Sequence, residues 1–282
     1  MNIKTVSLLL LLNSTLLFSQ IENTPKYKLK SASEMIGIST VNILDPYLSP
    51  LTYNGLGFNY EHATRHLFSA ENTDLSMESK LDAMAAYTGN PENTAAMIYM
   101  GVDYSWGMFY RFKPMNGLQI LAGGNAALDL GYKYLSRNVN NPINIDLCSD
   151  INLKGNVHYL LPLKHWPLKL NFELEIPVVG CMFVPQAGAS YYEMFGQGNL
   201  TDTFHFSSLL NKSGYDSKLS LDFPFRHSTW QIGLNLSELK YKANDLVFRR
   251  NCFTLQLGWK YDFYVFSGQK NIAPDNFIGI DK

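Results

Sequence analysis

Between residues 144 and 161 the chain alternates with a period of two. Ile145, Leu147, Ile151, Leu153, Val157, Tyr159 and Leu161 fall at odd positions, and Asn144, Asp146, Asp150, Asn152, Lys154, Asn156 and His158 at even ones. Successive side chains of an extended strand point to opposite faces, so this run is a strand with one oily and one polar face. Turn signals divide the chain after residue 26 into ten candidate strands: 27–39, 52–68, 74–87, 94–112, 118–135, 144–161, 168–183, 213–225, 229–241 and 246–266. The parity holds in one after another. In 94–112, Ile98, Met100, Val102, Tyr104, Trp106 and Met108 oppose Asp103, Ser105, Gly107 and Arg111, and in 246–266, Phe253, Leu255, Leu257 and Trp259 oppose Thr254, Gln256 and Lys260.

Such runs are about three times the usual strand length, and their summed oily faces exceed what a sandwich core buries. Lipid is the solvent that suits them, and only a closed sheet satisfies every backbone group there. The pattern therefore predicts an all-β fold, an antiparallel transmembrane β-barrel of about ten strands (10–12), with short periplasmic turns and longer extracellular loops. Short connections are expected at 113–117, 164–167 and 226–228, and longer ones at 136–143, 184–212 and 242–245. The alternative is a soluble, secreted β-barrel binding module with the oily parity turned inward, against which strand length argues. Rings near strand ends, at Tyr132, Tyr134, Tyr159, Trp166, Trp230, Tyr261 and Phe263, suit an interfacial girdle.

Residues 1–20 change the address. Lys4 supplies a positive n-region, 6–12 and 16–18 an apolar h-region, and Ser19 or Gln20 a cleavage end, the layout of a secretory signal peptide. The expected location is the bacterial outer membrane. Residues 21–267 would form the barrel and 268–282, which carry Pro274, a polar periplasmic tail. The 17 Tyr and 17 Phe against 17% charged residues agree with a β-rich chain, and a net charge of -1 leaves no electrostatic footprint for nucleic acid. With 3 Cys, disulfides are not a general staple; a Cys148–Cys181 bridge and small buried fillers are the two readings.

The polar parity is where chemistry would lie. Facing the lumen it places Glu61, Arg65, Asp103, Arg111, Asp129, Lys133, Asp146, Asp150, Lys154, His158, Glu173, Glu175, Lys260 and Asp262, with Glu78, Lys80, Asp82, Lys169, Asp222 and Arg250 beside them. Both signs are present, and a ten-stranded barrel has little bore once side chains fill it, so the set reads as a salt-bridged plug. A polar path for a small solute or a proton relay is the other reading. Counting back from the turn near Lys164 sets His158 across from Glu173 and Asn156 across from Glu175.

Other constellations are weaker. Asp146, Cys148 and Asp150 share one face and offer O, S and O ligands, without the nearby His or second thiolate that such metal sites use. His62 and His66 have helical ligand spacing, but Ala63 stands where a zinc protease has its Glu, and on a strand both rings face the interface. No catalytic residue, metal or cofactor is assigned. Loop residues Tyr191, Tyr192, Glu193 and Phe195 form an aromatic cluster that either contacts an extracellular ligand or folds back as a lid. Asp202, His205, Ser207, Ser208 and Asp245 supply the residue types of an outer-membrane hydrolase without its spacing.

The segments 44–55 (Leu-Asp-Pro-Tyr-Leu-Ser-Pro-Leu-Thr-Tyr-Asn-Gly) and 59–65 (Asn-Tyr-Glu-His-Ala-Thr-Arg) resemble an uncharacterised family of bacterial outer-membrane barrels, as do 183–186 (Phe-Val-Pro-Gln) and 190–195 (Ser-Tyr-Tyr-Glu-Met-Phe). The resemblance implies a barrel with no assigned activity, so it carries over no site residues. The function expected is a non-enzymatic barrel with a salt-bridged polar lumen in a structural, surface-binding or narrow-pore role. Its partners would be outer-membrane lipid and a small solute or extracellular ligand.

Overall fold

A computed structural model describes residues 27–70, 72–163, 167–225, 228–264 and 277–279. The short strand β1 (Tyr27–Lys28) leads into the barrel strands β2 (Lys30–Asp45), β3 (Ser49–Leu67), β4 (Leu75–Gly89), β5 (Ala96–Met115), β6 (Leu118–Leu135), β7 (Ile143–Leu160) and β8 (Lys169–Phe183). After one π-helical turn (Tyr192–Gly196) come β9 (Phe204–Ser208), β10 (Lys212–Pro224), β11 (Thr229–Ala243), β12 (Leu246–Phe263) and β13 (Phe277–Ile278). Ten strands pair antiparallel with their neighbours in sequence, β12 pairs with β2, and β8 pairs with β10, which closes the barrel. Residues 1–20, most of 268–282, Trp166 and parts of the turns expected at 164–167 and 226–228 lie outside the described residues.

The period-two pattern determines which face meets which environment. Ile38, Leu56, Met100, Trp106, Leu130, Leu153, Leu234 and Leu255 point outward and are exposed, whereas Ser39, Asn59, Ser105, Asn152, Asn235 and Thr254 are buried in the bore. A water-soluble barrel would invert this arrangement. Rings gather outside near both ends, with Trp230 opposite Trp259 toward the end that bears the chain's entrance, and Tyr87 and Tyr134 flanking Ile98 at the far end.

Three features depart from the simple reading. The connection expected to be long at 242–245 is a two-residue turn in which Asn244 (φ 50°) and Asp245 (φ 58°) both lie in the left-handed region, the geometry of a type I′ hairpin. The turn after β7 sits two residues from the expected register, so His158 faces Asn171 and Asn156 faces Glu173. In β8, Pro177 pairs with Asn152 and Val179 with Ile151, leaving Val178 as a bulge. Pro has no N–H to give the ladder, and the extra residue flips the face of all that follows. Cys181 therefore points outward, Met182 fills the bore, and Cys148, Cys181 and Cys252 are all free thiols. The Cys148–Cys181 bridge does not form because the two side chains leave opposite faces of the sheet.

The same edge carries a further irregularity. β8 pairs with β10 along its first half and with β9 along its last residues. Between β9 and β10 a turn closed by the Asn211 amide to the Ser208 carbonyl (3.0 Å) pushes Leu210 out to 99% exposure.

Candidate functional site

The bore is filled in layers. The far end is apolar and aromatic, with Ile43, Tyr53, Met97, Tyr99, Met182 and Phe248 packed in one cluster. Sequence reasoning missed this layer because it followed the charges on the inward parity and passed over the hydrophobes that replace them toward the far end, although Met97 and Tyr99 stand at inward positions of β5. A Cβ at Gly101 would collide with the Tyr99 hydroxyl, so the glycine makes room for that ring.

One cation lies inside this oily layer. Lys133 has no accessible surface, and its Nζ donates to Asp45 (2.5 Å) and Asp146 (2.7 Å) and sits 4.0 Å over the Phe248 ring. Tyr241 donates its hydroxyl to Asp146 (2.8 Å) and the Asn144 amide donates to Asp45 (2.7 Å). Asp45, at the last residue of β2, was not foreseen, since the first strand was expected to end at Ser39.

From Asn144 the network reaches the long loop. The Tyr191 hydroxyl donates to Asn144 Oδ1 (2.7 Å) and accepts from the Ile145 amide (2.7 Å). Its ring stacks on Phe195 at 5.9 Å and meets Tyr47 edge-on at 6.0 Å. Ser190 and Glu193 bond reciprocally, side chain to backbone amide, as a capping box that starts the turn. Tyr191 and Met194 fold inward as a lid, while Tyr192 (71% exposed) and Phe195 face outward. Burial, with the charges of Asp45 and Glu193, pushes the Tyr47 phenol up to about 12, and its hydroxyl donates to the Ala189 carbonyl (2.6 Å). Burial likewise raises the Tyr191 phenol.

Toward the other end the filling is ionic. Arg65 bridges Glu78 and Glu173, the latter at 2.7 Å, and Lys154 joins Glu78 (2.6 Å), Glu173 (3.3 Å) and Glu175 (3.6 Å). Glu61 pairs with Lys218 (2.5 Å) and Asp150 with Lys212. His158 donates from Nδ1 to Asn171 Oδ1 (2.7 Å) and accepts from Arg65 at Nε2 (3.1 Å), which requires the neutral ring with its proton on Nδ1. Asn171 passes the network on to Asp222 (2.8 Å), which also accepts from Gln231 (2.8 Å). Lys212 lies within the connection expected at 184–212 and Lys218 at an inward position of β10, and only the closed barrel brings them to their acids.

The remaining candidates lie elsewhere. Asp103 and Asp129 line a cavity of about 130 Å³ between the two fillings, with Arg250 at 4.0 Å from Asp103. Arg111 is buried near the entrance end of β5. Lys260 and Asp262 line an open vestibule of about 700 Å³ at that end, where Asp262 is exposed and outside the packed network. Asp146 does not join Cys148 and Asp150 as a ligand set, because Lys133 and Tyr241 hold it; Asp129 takes its place, with Asp129, Cys148 and Asp150 ligand atoms within 4.8 Å of one another. His62 faces outward and bonds Glu34 (2.7 Å). Of the hydrolase-type residues, Ser207 bonds Asp150 (3.2 Å), and among the described residues the buried His205 Nε2 has no hydrogen-bond partner.

The chain overlaps solved outer-membrane barrels loosely. With the transport unit of the autotransporter AIDA-I from Escherichia coli it shares 12% identity at a TM-score of 0.46, covering 89% of this chain and 97% of that one. With the outer membrane protease OmpT from Escherichia coli the values are 8%, 0.44, 87% and 99%. No curated protein sequence matches the chain. The family model described as "Protein of unknown function (DUF3316)" matches residues 4–270, and the chain belongs to that family.

Proposed function

We propose that this protein is a bacterial outer-membrane barrel that serves as a closed scaffold, holding its lid and outward-facing rings at the cell surface. The reading is carried by the occlusion of the bore: an apolar layer around Tyr53, Tyr99 and Phe248 lies above an ion-paired layer around Arg65, Glu78 and Lys154. A charged solute crossing the apolar layer would shed its water, and the ionic layer is packed with paired side chains around a cavity of only about 50 Å³. Membrane residence is supported by the ring of outward hydrophobes on a closed sheet. The entrance of the chain and the β13 segment lie together, with the Leu29 amide donating to the Ile278 carbonyl (2.9 Å), so both belong on the periplasmic side. The lid then faces outward, with Tyr192 and Phe195 as its contact rings.

The test is single-channel recording in planar bilayers with the folded chain, alongside membrane fractionation and heat-modifiable gel mobility. A membrane-bound, heat-modifiable protein without steady conductance is expected. Stable ohmic steps would replace the scaffold reading with a pore, and recovery in the soluble fraction would reject the membrane assignment.

A further inference from the structure

The outward face of β11 and β12 is a ladder of cross-strand pairs. Trp230 stands opposite Trp259, Ile232 opposite Leu257, Leu234 opposite Leu255 and Leu236 opposite Phe253, all exposed and apolar. Beyond them come Glu238 opposite Asn251 and Lys240 opposite Arg249, before the turn at Asn244 and Asp245. From Trp230 to Lys240 the strand climbs ten residues. At about 3.4 Å per residue and a tilt of about 35–45°, that is a rise of roughly 25 Å, the height of the apolar band on a membrane barrel. The Lys240–Arg249 rung therefore stands where hydrocarbon gives way to headgroups, and the orientation proposed above puts it in the outer leaflet.

Two features set this rung apart. Like charges directly opposite one another destabilise a sheet. Yet Lys240 and Arg249 are both exposed, and neither side chain has an ion pair or hydrogen bond among the described residues. Lys242, the next outward position of β11, adds a third positive charge against Glu238. The rim is not basic all round: at the same end of β4, β5 and β6 the outward row is Tyr87, Ile98 and Tyr134. Beside the rung, moreover, the outer wall carries a groove of about 520 Å³, with Thr40, Asn42, Asn54 and Asn251 on its polar side, Leu236 and Phe253 on its apolar side and Glu238 at its edge. Register places the three amides in one row, Asn251 opposite Asn42 and Asn42 opposite Asn54, to which the Asn42 amide donates. Amides and hydroxyls turned toward lipid are costly unless something polar meets them.

From the rim downward this sector thus presents two cations without partners, a groove of amides and hydroxyls, and an apolar wall. Ammonium beside guanidinium is a phosphate-binding pair, the guanidinium offering a two-pronged bond. The groove supplies the donors and acceptors that sugar hydroxyls use, and the wall below suits acyl chains. We propose that the outer wall at β11, β12, β2 and β3 binds a phosphate-bearing glycolipid of the outer leaflet. Its phosphate lies on Lys240 and Arg249, its sugar against Asn42, Asn54 and Asn251, and its acyl chains along Leu236 and Phe253. The site rests on the membrane orientation proposed above.

The experiment uses the full chain refolded in a zwitterionic detergent, with folding checked by heat-modifiable mobility and binding read by native mass spectrometry, diphosphoryl lipid A being the probe. The wild type should retain one lipid A, and the double variant Lys240→Gln with Arg249→Gln should stay heat-modifiable and bind it roughly tenfold more weakly or worse. Removing the phosphates from the lipid should weaken wild-type binding by as much and change the double variant little. Arg137→Gln, in the β6–β7 connection, where the guanidinium bonds to Thr94 (2.8 Å), should bind as the wild type does. Undiminished binding in the double variant would overturn the proposal in favour of solvated cations. An equal loss in Arg137→Gln would overturn it in favour of a diffuse rim charge, and displacement of the lipid by excess sodium phosphate in favour of a simple anion site. A soluble chain without heat-modifiable mobility would reject the membrane orientation itself, a failure visible before any lipid is added.

Discussion

Lys133 shows how one residue ties the far end of this barrel together. It has no contact with solvent, and its two carboxylate partners come from different strands, β2 and β7. Removing one partner of a buried ion pair strands the others, at a cost of about 3–5 kcal/mol. Lys133→Met should therefore destabilise the barrel by that amount and loosen the lid through Asn144 and Tyr191, measured by denaturant melting and by protease cleavage within 185–200. A stable, uncleaved variant would show that Asp45 and Asp146 find other partners. Tyr47 gives a pH dependence with a defined sign. Its phenol ionises near 10 when unfolded and near 12 when folded, so the folded state holds the proton longer. This contribution is complete below pH 10 and is lost as pH rises to about 12. The stability gap between wild type and Tyr47→Phe should narrow over that interval, and a constant gap would mean that the lid does not protect the phenol.

At the scale of the element, the Val178 bulge decides which face β8 presents above Pro177. Cys181 is the outward thiol, while Cys148 and Cys252 are buried in the bore. A small, membrane-permeable maleimide should label one thiol of the folded protein and all three after denaturation. Deleting Val178 should restore uninterrupted alternation with the same partners, leaving Cys181 outward and Met182 inward, so the folded-state labelling should persist. Loss of that labelling would place the change of face elsewhere in the strand. Parity alone could not reveal the bulge, because Pro-Val-Val-Gly is compatible with either phase. Pro177 was the only local signal.

For the whole molecule the scaffold proposed above predicts a barrel closed twice over. The lid rests on a layer that is already dry, so deleting residues 187–198 should leave the membrane-reconstituted protein without conductance, while exposing Tyr47 to solvent and protease. Steady channels in that deletion would make the lid the gate and the layers beneath it permeable. A narrow interior also explains why, among the described residues, outward-facing large hydrophobes outnumber the buried ones: a ten-stranded barrel has little room for a core, and lipid takes the role that a protein core has in soluble domains.

The period-two pattern by itself determined the strands, the closed sheet, the face given to lipid and the membership of most of the lumen. Those properties follow from backbone geometry and from matching each side chain to its solvent, and both are local. The pairing partners were decided only in three dimensions. Asp45 meets Lys133 across the bore, Lys218 meets Glu61 across 157 residues of chain, and Glu61, Asp82, Asp103 and Asp129 form a row because the four strands β3 to β6 register as they do. Register depends on turn lengths and a single bulge, and one shifted position changes every partner along a strand. The charged alternation first seen in 144–161 thus identified Asp146, Asp150, Lys154 and His158 as inward. Closure of the barrel assigned one to the apolar cap, one to the edge of the cavity lined by Asp103 and Asp129, and two to the ionic plug.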